Sequence, residues 1–149
     1  MSPAPPAAAP GVPGLDGLAL DHIAIAVHDL DASAAAYAAL GLEVAGEDEH
    51  ITDQDVRVRA LVAGGSVVEL MAPLGPEGPV ARFLERRGPG LHHIALRVKD
   101  IAAVLARLEG EGARLVDREP RRGRGGSRIA FVHPDFTGGV LVELVEPAA

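Results

Sequence analysis

Four residues of this chain pair off in type and in place. His22 opens an alternating run, D-H-I-A-I-A-V (Asp21–Val27), and His93 stands 71 residues later inside L-H-H-I-A-L-R-V (Leu91–Val98). Glu69 sits in V-V-E-L-M (Val67–Met71), and Glu143 stands 74 residues later in L-V-E-L-V (Leu141–Val145). Alternation with a period of two marks a half-buried strand. A carboxylate inside an otherwise apolar strand is costly to bury unless it is paired or holds a cation. Singly, a strand histidine is ordinarily a hydrogen-bonded core residue, and a strand glutamate an edge residue or half of an ion pair. Four such residues at matching places point instead to one shared site. Imidazole and carboxylate donors suit a divalent first-row ion such as Zn, Co, Ni, Mn or Fe(II).

The neighbours fit that reading. His22 shares its face with Ala24 and Ala26, and His93 with Ala95 and Arg97, so two imidazoles would rim a cavity with little bulk beside them. His92 is expected to point away from His93, as strand neighbours do, and is not counted as a ligand. His28, His50 and His133 fall in turns or loops without matching partners, and His133-Pro134 reads as a turn constraint. A second feature is the loop Arg118–Ser127. Arg118, Arg121, Arg122, Arg124 and Arg128 crowd around Gly123, Gly125 and Gly126. One reading is a solvated surface loop. The other is a phosphate-binding flap, because guanidinium pairs with phosphate in a bidentate way and glycine lets backbone N–H groups approach. Arg124 and Arg128 are its candidate substrate-binding residues.

Composition narrows the chemistry. The 149 residues include no cysteine, so thiolate ligands and disulfides are excluded and any metal falls to His, Asp and Glu. A net charge of −7 and 3% aromatic residues argue against nucleic acid as a partner. No apolar run approaches the ~20 residues of a membrane span. Residues 1–17 have neither a basic nor an apolar leader region and read as a disordered Pro/Ala-rich tail, with the cytoplasm as default location.

The scaffold is legible as a repeat. After the strand Asp21–Val27 come a helix Ala32–Leu40, capped by Asp29 or Asp31, and Gly41 beyond its end. A short strand Leu42–Ala45, an irregular acidic loop Glu47–Asp55 and two strands, Arg57–Val62 and Ser66–Met71, about the turn Gly64-Gly65 complete the unit. A short amphipathic helix, Val80–Arg87, follows. The order then recurs: strand Leu91–Val98, a helix capped by Asp100 with Ile101, Val104, Leu105 and Leu108 on one face, and strand Arg114–Val116. The Arg-rich loop, strand Arg128–Val132, turn His133–Gly139 and strand Val140–Val145 end it. Each unit, 18–75 and 90–147, reads β-α-β-β-β, joined by the helix over 79–87 into one domain, 18–147. A single unit leaves a concave sheet face uncovered, so two must combine to close a core. The expected fold class is α+β, a curved sheet from two tandem βαβββ units.

This duplicated unit, with its His/Glu/His/Glu set, resembles the vicinal oxygen chelate superfamily, which is glyoxalase- and bleomycin-resistance-like. Within it, D-H-I-A-I-A-V, V-E-L-M-A-P-L-G (Val68–Gly75), P-V-A-R-F-L-E-R-R-G (Pro79–Gly88), G-L-H-H-I-A-L-R-V (Gly90–Val98), G-G-S-R-I-A-F-V-H-P (Gly125–Pro134) and G-G-V-L-V-E-L-V (Gly138–Val145) resemble the methylmalonyl-CoA epimerase family. The likeness runs from about Leu18 to Pro147. It implies an isomerase that moves the C2 proton of an acyl-CoA through a metal-stabilised enolate, works as a homodimer and uses a divalent ion (Co, Zn, Mn or Ni). It also implies His22, His93, Glu143 and Glu69 as metal ligands and Glu143 as first base. Some members carry Glu at the place of Val58 and Gln at the place of Glu69. Val58 cannot move a proton, so Glu69 is expected to serve as ligand and second acid/base. Asp135 stands where many relatives carry Lys. The competing readings are another metalloenzyme of the superfamily (a glyoxalase-like lyase or isomerase, or an Fe(II) dioxygenase) and a metal-free binding or resistance module. Glu69 as a fourth ligand argues against the dioxygenase, and retention of all four polar residues against the module.

Overall fold

Strand β1 (Ala19–Ala26) buries His22, Ala24 and Ala26 and leaves the residues between them half-buried, as its alternation predicts. The computed structural model describes residues 17–149, so the expected tail, Gly17 apart, lies outside the described residues. After β1 the chain turns into helix α1 (Leu30–Ala39). Asp29 is its cap, accepting the Ala32 N–H at 3.1 Å, while Asp31 pairs with Arg59 at 2.9 Å. Such a cap contributes ~1 kcal/mol. The first half continues through β2 (Glu43–Val44), β3 (Glu49–Ile51), β4 (Val56–Ala63) and β5 (Ser66–Pro73). Helix α2 (Pro79–Arg87) bridges to the second half: β6 (Gly90–Arg97), α3 (Ile101–Gly110), β7 (Arg121–Arg122), β8 (Arg128–Val132), α4 (Pro134–Thr137) and β9 (Val142–Glu146). Asp100 caps α3 through the Ala103 N–H at 3.1 Å.

The strands form one sheet in the order β2-β4-β5-β1-β6-β9-β8-β7, with β3 added on β4. The two opening strands, β1 and β6, pair antiparallel at its centre, and each holds the last strand of its own unit in parallel on its outer side. Helices α1 and α3 cover one face. Leu30 and Ala34 pack on Val27, Leu61 and Leu70, and Ile101, Val104 and Leu105 pack on Ala130, Val142 and Leu144. Truncating one such residue, as in Leu105→Ala, costs ~2–5 kcal/mol. The other face carries Ala24, Val56, Val58 and Met71, closed at one end by Val80 and Leu84 of α2, and Ala95, Ile129, Phe131 and Val145. Among the described residues no helix is long and apolar enough to cross a membrane.

Four expectations are corrected, one being the loop Arg118–Ser127, which contains β7 and a 3-10 turn, Arg124–Gly126. The acidic stretch expected as a loop over Glu47–Asp55 contains β3 and a 3-10 turn, Thr52–Gln54. Its charges are answered from the neighbouring strand, where Arg59 holds Asp48 through two hydrogen bonds of 2.7 and 2.9 Å and Arg57 approaches it at 3.5 Å. The expected strand Arg114–Val116 is reduced to a single bridge, Leu115 to Val132. The expected turn His133–Gly139 contains α4, which His133 caps by accepting the Asp135 N–H at 3.0 Å.

Candidate functional site

The register of the central strands assembles the site. Across β1 and β6, His22 faces Ala95 and Ala24 faces His93. On the outer sides, Glu69 lies beside Ala24 and Glu143 beside Ala95. Each alanine is therefore flanked by a histidine and a glutamate, and its methyl group leaves the space into which they lean. All four are buried, with 5%, 5%, 3% and 7% of His22, Glu69, His93 and Glu143 exposed.

Two bulges aim the histidines. The β1–β6 register slips between Leu20 and His22 and again between Ala24 and Ile25, which makes Asp21 and His92 the extra residues. A bulge re-aims its side chains. Asp21 Oδ2 lies 2.7 Å from His22 Nδ1, and His92 Nδ1 lies 2.8 Å from His93 Nδ1. His92 thus turns toward His93, contrary to the expectation from strict alternation, and packs edge-on against Phe83 at 4.9 Å between ring centres. Partners of this kind fix the tautomer and orientation of a ligand histidine. Both Nε2 atoms are left buried without a hydrogen bond. They converge on one carboxylate: His22 Nε2 is 3.9 Å from Glu143 Oε1, and His93 Nε2 is 3.1 Å from Glu143 Oε2. Donor atoms of His22, His93 and Glu143 all lie within 4.8 Å of one another. Two bare imidazole nitrogens facing a buried carboxylate fit a divalent cation.

Glu69 reaches the same cavity, of about 180 Å³, but stands apart from that trio. Arg124 Nε donates to its Oε2 at 3.0 Å, and the same oxygen is 3.4 Å from His22 Nδ1. The Arg-rich loop folds over the cavity mouth, with Gly123, Arg124, Gly125 and Ser127 in its lining. The Gly125 N–H is held by both oxygens of the Glu49 carboxylate, at 3.0 and 3.1 Å. Gly123 is needed there, because a Cβ would lie 2.5 Å from Ile129 Cγ2. Arg128 is not brought to the cavity: it donates to Glu146 at 3.1 Å, on the carboxylate that also takes the first N–H of α3. Val58, Met71 and Ile129 form an apolar wall.

The electrostatics are lopsided. Burial works to push the His22 imidazole down, but Asp21, Glu69 and Glu143 outweigh it and hold its pKa above the ordinary value. The hydrogen bond from His22 holds the Asp21 carboxyl low. Burial pushes the Glu69 carboxyl up despite His22 and Arg124 beside it. Burial, with the neighbouring His93, pushes His92 down to about 4, so near neutral pH it is an uncharged acceptor for the His93 Nδ1–H. The residue types alone did not bring out Asp21 and His92, although their 71-residue spacing, the same as that of the histidines they steady, was a signal.

With this geometry in hand, the chain can be set beside known proteins. Residues 21–131 match the model of the Glyoxalase/Bleomycin resistance protein/Dioxygenase superfamily. The ethylmalonyl-CoA/methylmalonyl-CoA epimerase of Cereibacter sphaeroides is 44% identical over 128 residues, covering 84% of this chain and 95% of that protein. The crystal structure of methylmalonyl-CoA epimerase from Mycobacterium tuberculosis matches with a TM-score of 0.82 at 44% identity, covering 87% of this chain and 88% of that one. A Streptomyces coelicolor methylmalonyl-CoA epimerase variant in complex with 2-nitronate-propionyl-CoA matches with a TM-score of 0.81 at 42% identity, covering 87% and 97%.

Proposed function

This chain belongs to the Glyoxalase/Bleomycin resistance protein/Dioxygenase superfamily and, within it, to the methylmalonyl-CoA epimerase family, and from that premise we propose that it interconverts the (R) and (S) epimers of methylmalonyl-CoA by proton transfer at C2. The observation that carries the reading is the convergence of two bare, buried imidazole nitrogens on Glu143 in a cavity that holds a second buried carboxyl, Glu69. His22, His93 and Glu143 would hold a divalent cation (Co, Zn, Mn or Ni), with Glu69 as the proposed fourth ligand. When bound, that ion supplies a Lewis acid for the thioester and carboxylate oxygens of the substrate.

The chain's own residues move the proton. The C2 proton lies between a thioester and a carboxylate, which lowers the cost of removing it. Glu143 takes it, the C–H bond breaks, and the electron pair passes into the thioester carbonyl. Glu69 enters the cavity from the opposite side of the β1–β6 pair and returns a proton to C2. In the metal-free protein burial raises its pKa above that of an ordinary glutamate, which suits a group that takes up and returns a proton. The reverse reaction exchanges the two roles. The apolar wall of Val58, Met71 and Ile129 keeps water from quenching the carbanionic species. Arg124, as a substrate-binding residue, would turn from Glu69 to the free carboxylate of the acyl group. A cytoplasmic homodimer, each chain a single domain of two repeats (18–75 and 90–147), completes the proposal.

The test is exchange of the C2 proton of methylmalonyl-CoA in deuterated water, followed by NMR on protein as purified, chelator-stripped and metal-restored. Exchange that vanishes with the metal and returns with it supports the reading. No exchange in metal-loaded protein overturns it and directs attention to thiol adducts and catechols.

A further inference from the structure

Arg124 belongs to the second repeat, yet the turn that carries it, Gly123–Ser127, is tied to the first. Within the turn, the Gly123 N–H donates to the Ser127 carbonyl at 2.9 Å and the Ser127 N–H to the Arg124 carbonyl at 3.2 Å. Outside it, Arg124 Nε donates to Glu69 on β5, and the Gly125 N–H is shared by both oxygens of Glu49 on β3. Strand β4 runs between these two acids, with Val58 beside Glu49 and Ala60 beside Glu69. The turn therefore straddles β4, held by an acid on either side.

Glu49 differs from the acid before it in sequence. Asp48 is taken by Arg57 and Arg59, whereas Glu49 forms no ion pair among the described residues and turns its carboxylate to a backbone N–H of the other repeat. A carboxylate on an N–H makes a charge-assisted bond, stronger than a neutral one. Gly125 presents that N–H from the left-handed region, at φ +66°, where glycine is the residue at ease. On the other side of Arg124, a Cβ on Gly123 would lie 2.5 Å from Ile129 Cγ2 and 2.8 Å from Ser127 Oγ. The Arg124 backbone is thus packed at Gly123 and gripped at Gly125, and its side chain is the part left to turn.

We infer that Glu49 is a positioning residue: it clamps the turn of the second repeat onto the first through the Gly125 N–H, and so holds Arg124 over the cavity, where its guanidinium meets the free carboxylate of the acyl group. The inference rests on the epimerase reading above and adds the residue that places its substrate-binding arginine. Glu49 is not part of the cavity lining, so it acts through Arg124 and not on the reacting atoms. A bidentate or end-on guanidinium–carboxylate pair demands a fixed approach, and a clamp on the backbone beside the arginine supplies it without restraining the side chain.

The experiment compares the full chain, loaded with zinc, with its Glu49→Ala variant. Amide exchange followed by NMR reads the clamp directly: in Glu49→Ala the Gly125 N–H exchanges faster on the order of tenfold or more, the worth of a charge-assisted bond. Trypsin cuts between Arg124 and Gly125 faster by a comparable factor, while the other amides of β3 and β4 keep their protection and show the fold intact. In turnover, KM for methylmalonyl-CoA rises by up to about tenfold while kcat stays within about twofold. Inhibition by propionyl-CoA, which lacks the free carboxylate, does not change. Glu49→Gln keeps an acceptor oxygen and restores most of the KM, and Glu49→Ala added to Arg124→Gln raises KM no further than Arg124→Gln alone. Unchanged Gly125 exchange in Glu49→Ala overturns the clamp. An unchanged KM with the turn freed, or equal weakening of propionyl-CoA, overturns its role in placing Arg124. The two proposals fail separately. Faster Gly125 exchange and tryptic cleavage in a protein that catalyses no C2 exchange keep the clamp and sink the epimerase, and C2 exchange with unchanged Gly125 exchange does the reverse.

Discussion

His22 and His93 sit in equivalent bulges of the two repeats, yet each is steadied by a different residue: an acid, Asp21, for His22 and an uncharged imidazole, His92, for His93. The glutamates differ in the same way. Glu143 faces both histidine Nε2 atoms, whereas Glu69 is held by Arg124 from a loop of the other repeat. The flanking strands complete the contrast. Where β8 places Phe131 edge-on against His93, at 5.4 Å between ring centres, the matching position on β4 is Ala60. Duplication supplies two histidines and two carboxyls around a local twofold. A substrate with one acyl group and one long arm has no such symmetry. The residues that break the twofold therefore give the two halves of the site different surroundings.

The widest expected separation between the halves is catalytic. Glu143→Gln removes the proposed first base and a proposed ligand, so C2 exchange falls by at least ~10²–10⁴-fold with either epimer. Glu69→Gln removes the proposed second acid/base but none of the converging trio. Epimerisation then falls by on the order of 10²–10⁴-fold, while one epimer still exchanges its C2 proton with solvent through Glu143 and keeps its configuration. NMR with each pure epimer separates the two effects. Full turnover by a Glu69→Gln protein that retains its metal would show that Glu69 moves no proton.

The supporting residues come next. Asp21→Asn exchanges a charged acceptor for a neutral one behind His22, and metal affinity falls ~10–100-fold, the usual worth of a partner behind a ligand histidine. His92→Phe removes a neutral acceptor behind His93 and has the smaller effect of the two. Competition with a chelator of known affinity measures both. Equal losses would mean that orientation alone, and not the charge of Asp21, distinguishes the two histidines.

Much of this was open to reading from residue types. Alternation in Asp21–Val27 and Leu91–Val98 located the central strands and their buried faces, and the repeat paired the histidines and glutamates. Helix caps at Asp29 and Asp100 and the helical spacing of Ile101, Val104 and Leu105 followed from local chemistry. What stayed hidden depends on partners distant in the chain. A bulge is a mismatch between two strands, so nothing within Leu91–Val98 announces that His92 turns inward. Glu49–Ile51 looked like an acidic loop because Arg57 and Arg59, which answer Asp48, arrive from β4. Arg128 looked like Arg124, and only the register of β8 against β9 hands it to Glu146.

The gentlest test of the asymmetry is the pH dependence of stability in metal-free protein. His22 is raised in the fold, so the stability it contributes is complete below its ordinary value of 6.5 and is lost as pH rises through the folded value. Glu69 is also raised, and its penalty, absent below the ordinary 4.5, grows as pH climbs above it. His92 runs the other way. Pushed down to about 4, it stays neutral in the fold while the unfolded chain is protonated below 6.5, so its penalty is relieved as pH rises toward 6.5. Between these values the two halves oppose each other, and above 6.5 the first half acts alone. The melting temperature of chelator-stripped protein should therefore decline on the alkaline side of neutrality. Asp21→Asn should flatten that decline, and His92→Phe should leave it in place while altering the acidic limb. Restoring the metal should abolish the alkaline decline, because the ion takes the place of the proton on His22 and binds more tightly as ligand protons are lost. A melting temperature that holds level above neutrality in stripped wild-type protein would mean that Asp21 and the two glutamates do not hold a proton on His22.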